Sequence, residues 1–151
     1  MKKLLLVFGI LALLAVGLLV VSSRSATPLN IGTSSSDIAF LETKSKEFLE
    51  DIQFKDFKKA SSYHSREDRK KVDIPKLIER MFAVKPEFLN IMRFEIIKSS
   101  MDSTKTRCRV HTKTVIKLLN TSEIREPEIM LYWFKDPTEG WVMELESSLQ
   151  G

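Results

Sequence analysis

Three observations predict an α+β fold for this chain: one membrane-spanning helix, then about three helices packed on one face of a curved antiparallel sheet of three to four strands. An unbroken apolar run, Leu4 to Val21, follows Lys2 and Lys3. Apolar residues then recur at helical spacing as far as Phe82, and from Ile91 onward the period falls to two. Helices segregated ahead of strands are the order of an α+β domain rather than of alternating βα units.

The apolar run of 18 residues, at about 1.5 Å each, makes a helix of roughly 27 Å, close to the hydrocarbon thickness of a bilayer. The lysines ahead of it orient the N-terminus toward the cytoplasm and everything after residue 21 outside. The run exceeds the apolar core of a secretory signal, which favours a retained anchor. Small residues at Val21-Ser22-Ser23 and Ser23-Arg24-Ser25 leave cleavage open. No cysteine near its end allows lipid attachment. The expected organisation is a signal anchor over 1–21, a serine-rich linker over 22–36 with Pro28 and Gly32, and one α+β domain over 37–151.

About 115 residues beyond the linker make one domain with a single core. Nine Phe and two Trp supply much of it, so neither metal nor disulfide is required. Cys108 is the only cysteine and reads as a small buried residue on a strand. The net charge of +4, from 24 basic and 20 acidic side chains, is mixed along the chain and gives no footprint for nucleic acid.

The first helix is expected over 39–53, capped by Ser36 or Asp37, with Ile38, Phe40, Leu41, Phe48, Leu49 and Ile52 as its stripe. A second is expected from Phe54 to Tyr63 on Phe54, Phe57 and Ala60. Residues 65–71 read as a polar turn. Asp73 and Pro75 mark the start of a third helix, with Leu77, Ile78, Met81 and Phe82 as its apolar face and Lys85-Pro86 as its end.

In the first strand Met92, Phe94 and Ile96 alternate with Arg93 and Glu95. In the second, Cys108, Val110, Thr112, Thr114 and Ile116 alternate with Lys105, Arg107, Arg109, His111 and Lys113. Asn120-Thr121-Ser122 is a turn. A β-prone run from Ile129 to Lys135 closes, through residues 136–140, onto a last strand starting at Trp141.

The helix pair ending in Phe57-Lys58-Lys59-Ala60-Ser61-Ser62-Tyr63-His64-Ser65, a short third helix, and a meander finishing on Gly140-Trp141-Val142-Met143-Glu144-Leu145 resemble the nuclear transport factor two-like superfamily. Its small bacterial members, built as a signal anchor plus one cone-shaped domain, are the nearer likeness. The resemblance covers about residues 37–148 and implies a cone between helices and sheet, not an activity. Enzymatic members place aspartate, tyrosine or histidine inside the cone, and no clear equivalent is found in this sequence.

The residues support no catalytic set. His64 reads as an exposed residue at a helix C-terminus, and His111 as a neutral hydrogen-bonding group among bases. Two separated histidines and one cysteine do not make a zinc site. There is no Gly-x-Ser-x-Gly elbow and no glycine-rich phosphate loop. Glu50-Asp51 and Glu126/Glu128, set among lysines, read as solvated faces. No enzyme activity, cofactor or metal is expected.

Two features point to a partner instead. Lys105, Arg107, Arg109, His111 and Lys113 share one parity, a basic stripe that either docks an anionic surface or pairs with Glu95, Glu126 and Glu128. Ile129, Leu131 and Trp133 occupy one face of their strand, while Met130, Tyr132 and Phe134 make the other face apolar as well. The expected function is an accessory or scaffold subunit of a bacterial inner membrane, anchored by residues 4–21 with its domain periplasmic. Partner-binding residues would be Met130, Tyr132, Phe134, Lys105, Arg107, Arg109 and Lys113, facing a larger membrane complex or a second copy. The alternatives are a small-ligand-binding or lyase/isomerase-like domain, with Tyr63, His64, Thr112 or Thr114 converging in the cone, and a bitopic secretion-system component.

Overall fold

A computed structural model describes residues 32–144, with side chains from residue 35. The apolar run at 4–21 and most of the serine-rich stretch lie outside the described residues. No helix among the described residues is long and apolar enough to cross a membrane.

The first helix, α1 (Gly32–Gln53), starts earlier than its spacing predicts, so the last serines of the expected linker form its opening turns. Leu41, Phe48, Leu49 and Ile52 are buried in one stripe, and Ser45 lies among them. Phe40 falls outside that stripe and stays half exposed. The second helix is shorter than expected, α2 (Phe57–Ser61). Lys55 has a positive φ of 59°, which breaks the helix after α1, and the Asp56 side chain then caps α2 by accepting from the Lys59 amide at 3.0 Å. Phe54, counted in the stripe from its spacing, is left 79 % exposed at that break.

The third helix, α3 (Ile74–Phe82), starts as its sequence directs. Asp73 caps it by accepting from the Lys76 amide at 3.1 Å, and Pro75 sits in the first turn, where an N–H has no intrahelical partner anyway. It ends at Phe82, before Lys85-Pro86, because Ala83 enters the left-handed region at φ 53°. Ile74, Leu77, Ile78, Met81 and Phe82 are buried.

Five antiparallel strands follow: β1 (Leu89–Met101), β2 (Arg107–Leu118), β3 (Ile124–Arg125), β4 (Glu128–Asp136) and β5 (Gly140–Met143). Their spatial order is β1-β2-β4-β5, with β3 pairing β2. The strand beyond the expected count is β3, two residues that turn back after Asn120-Thr121-Ser122 and place Ile124 opposite Lys117. Gly140 takes φ 79° to close the β4–β5 hairpin.

Strand β2 follows its predicted alternation, with Cys108, Val110, Thr112, Thr114, Ile116 and Leu118 all buried toward the helices. Strand β1 does not keep one period. Its register shifts between Ile91 and Arg93 and again between Ile96 and Lys98. Each shift is a bulge that adds one residue, Met92 and then Ile97, and resets which parity faces inward. Ile91 is therefore in the core, while Met92 is 52 % exposed and does not share a face with Phe94 and Ile96 as simple alternation predicts.

The core fills the space between helices and sheet with Leu41, Phe48, Leu49, Ile78, Ile91, Ile116, Leu131, Trp133 and Met143. Each large side chain removed from water there contributes roughly 1.5–3 kcal/mol.

Candidate functional site

His64, expected at an exposed helix end, is completely buried. The segment after α2 lies beside β5: the Met143 amide donates to the Tyr63 carbonyl at 2.8 Å, and His64 forms a parallel bridge with Met143. The ring packs edge-on to Phe48, with centroids 6.5 Å apart. Phe57, Ala60 and His64 follow one another at i, i+3 and i+7, the spacing that could have marked the imidazole as inward-facing. Burial holds it below its ordinary pKa of 6.5, so it is neutral.

Asp51, read as solvated, is buried as well. It accepts from the Tyr63 hydroxyl at 2.9 Å and from the Lys59 ammonium at 2.8 Å. Glu47 accepts from Lys44 at 2.7 Å, which lowers its pKa, and approaches the Tyr63 hydroxyl at 3.4 Å. Burial, then the bond to Asp51, pushes the Tyr63 phenol well above its usual range. This network ties α1 to the segment after α2.

Tyr63, His64, Thr112 and Thr114 do not converge. Tyr63 turns to Asp51 and Glu47, while the His64 Nδ1 lies 3.3 Å from the Ser61 carbonyl. Thr112 and Thr114 donate to the carbonyls of Ile129 and Pro127 at 3.2 and 3.0 Å, the usual answer for a buried hydroxyl on a strand. Cys108 is buried, and desolvation pushes its thiol up to about 11. Among the described residues no cluster of His, Cys, Asp and Glu is arranged to hold a metal ion.

The opposite face of the sheet gathers the residues marked for a partner. Lys105 is not among them. It sits in the β1–β2 turn with φ 57°, so the stripe starts at Arg107. Register then sets Arg107 opposite Phe134, Arg109 opposite Tyr132, His111 opposite Met130 and Lys113 opposite Glu128. The two columns are thus direct cross-strand neighbours, and Met130, Tyr132 and Phe134 are half-buried rather than bare. Val142, opposite Phe134, extends the apolar column onto β5.

Much of the basic stripe is paired. Arg107 meets Glu144 at 2.7 Å, His111 Nε2 meets Glu128 at 2.9 Å and Lys113 meets Glu126 at 2.6 Å. The bond to Glu126 raises the Lys113 pKa, and the same bond lowers that of Glu126. Arg109 has no carboxylate partner among the described residues. Neither has Arg93, Lys98 or Lys117, which register places on the same face of the sheet.

The β1 bulges add residues that alternation alone would not assign to this face. Met92 with Arg93 stands opposite Val115, and Ile97 with Lys98 stands opposite His111. Ile97 is 47 % exposed. The face therefore mixes apolar side chains with more bases than acids, and Glu95, opposite Lys113, forms no ion pair among the described residues because Lys113 turns to Glu126 instead.

Compared with protein-family models and with curated proteins, the chain matches none.

Proposed function

We propose that this chain is a non-enzymatic accessory or scaffold subunit of a bacterial inner membrane that binds an acidic protein partner through the outer face of its sheet. Residues 4–21 are the anchor in this reading, with the α+β domain on the periplasmic side. The resemblance to small anchored members of the nuclear transport factor two-like superfamily belongs to the same proposal. The observation that carries it is the cross-strand series Arg107–Phe134, Arg109–Tyr132 and His111–Met130. Aromatic and Arg side chains side by side are the composition of interface anchors, and uncompensated positive charge selects and orients an acidic surface. A second copy is a poorer fit, because it would bring Arg93, Lys98, Arg109 and Lys117 of two chains to one interface. The hydroxyls of Thr112 and Thr114, engaged by backbone carbonyls rather than turned together toward a ligand, also favour a binding surface over a pocket.

The test is a tagged full chain recovered from detergent-solubilised native membranes. The double variant Tyr132→Ser, Phe134→Ser should stay folded by circular dichroism and lose its co-purifying partner. A folded double variant that keeps every partner would move the interface elsewhere, with residues 4–21 as the leading candidate. Carbonate extraction of the same membranes checks the anchor, since a chain held by a spanning helix stays in the pellet.

A further inference from the structure

We propose that a cleft beside Arg109 receives a single carboxylate side chain of the partner, so that one Asp or Glu of the bound surface is its registering contact. This rests on the outer-face reading and narrows it to one site. The cleft has a volume of about 320 Å³, and Arg109, Arg107, Ser100, Tyr132, Asp102 and Glu144 are among its lining residues. Arg109 stands at its centre by register, opposite Ser100 on β1 and Tyr132 on β4.

The other charges in the cleft are already answered within the fold. Asp102 accepts from the amides of Thr106 and Arg107 at 2.9 and 3.0 Å and from the Thr104 hydroxyl, which closes the β1–β2 turn. Glu144 holds the Arg107 guanidinium at 2.7 Å. That leaves the Arg109 guanidinium without a carboxylate partner among the described residues, beside Tyr132. Its planar fork matches a carboxylate in two parallel hydrogen bonds.

Charge also limits what fits. A phosphate carries about −1.5 to −2 at neutral pH and would meet Asp102 and Glu144 in the same cleft. One carboxylate balances one guanidinium without that excess. A volume of about 320 Å³ takes an acidic side chain with a neighbouring apolar one, rather than an extended polyanion.

The full chain in detergent micelles, labelled with ¹⁵N, is titrated with the blocked tripeptide acetyl-Phe-Glu-Phe-amide, its Gln counterpart and inorganic phosphate. The Arg109 Nε–H and the Ser100 amide should shift saturably with the Glu peptide and at least tenfold more weakly with the Gln peptide or phosphate. Arg109→Gln should abolish the saturable shift, and Arg109→Lys should weaken it at least fivefold by losing the fork. Lys58→Gln, exposed on α2 and away from the sheet face, should leave it within twofold. Equal binding of the Gln peptide, tighter binding of phosphate, or unchanged binding by Arg109→Gln would overturn the inference. If the peptide does not bind, yet Tyr132→Ser with Phe134→Ser still loses the partner, the outer-face reading stands and the cleft falls. If the peptide binds and the double variant keeps its partners, the cleft stands as a carboxylate site and the wider interface falls.

Discussion

The indole N–H of Trp133 on β4 donates to the Ser45 hydroxyl on α1 at 3.0 Å, both residues buried and separated by 88 positions in the chain. Trp133 is 1 % exposed and meets Tyr63 edge-on with centroids 6.3 Å apart, so one ring joins the sheet, α1 and the segment after α2. A polar contact inside an apolar core fixes orientation as well as adding stability, because the indole has only one direction in which its donor is satisfied. Trp133→Ala should cost about 3–5 kcal/mol in urea titration of the full chain in micelles. Ser45→Ala should cost about 1–3 kcal/mol, the penalty for a buried donor left without its acceptor. A loss under about 1 kcal/mol for the tryptophan would mean that the packing of β4 against α1 is wrong.

Tyr63→Phe removes a hydroxyl that donates to the buried Asp51 carboxylate. Hydrogen bonds to charged groups contribute about 1.5–3 kcal/mol, so the variant should be destabilised by that amount while keeping its spectrum. Lys59 still meets Asp51 at 2.8 Å, which prevents a larger loss.

His64 makes stability fall with acid. Its folded pKa lies below the ordinary 6.5, so the unfolded chain takes up a proton first as the pH drops. The contribution is complete above about pH 6.5 and declines below it, until the pH reaches the folded value. Urea midpoints measured from pH 8 to 5 should slope downward toward acid, and His64→Gln should flatten that slope. An identical slope in both proteins would assign the effect to other groups.

Cys108 should be inert in the folded state. A thiol buried under the sheet, with its pKa raised to about 11 by desolvation, offers almost no thiolate at neutral pH. Iodoacetamide at pH 7.5 should label it only after denaturant is added. Rapid labelling of the native chain would show that β2 opens locally.

The β1 bulges give a paired test of face assignment. Met92→Lys should change stability by no more than about 0.5 kcal/mol, as exposed substitutions do. Ile91→Lys places an unpaired charge in the core and should unfold the domain or cost several kcal/mol. Urea titration of the two variants decides between this register and simple alternation.

The sequence by itself determined the segregated α+β order, the capped start of α3 at Asp73, the inward face of β2 and the apolar second face of β4. These are local properties: period, capping chemistry and alternation act over a few residues and need no knowledge of the partner element. The residues of the candidate site were legible for the same reason, since Arg107 and Arg109 follow one alternation and Tyr132 and Phe134 another. Only the tertiary structure decided that these columns are direct neighbours, because register between strands depends on pairing across the sheet. It also decided that Met92 and Ile97 turn outward at bulges, that His64 and Asp51 are interior, and that Glu126, Glu128 and Glu144 engage Lys113, His111 and Arg107 while Arg109 meets no carboxylate among the described residues. Burial and charge pairing are set by what arrives from distant parts of the chain, and no local pattern carries that information.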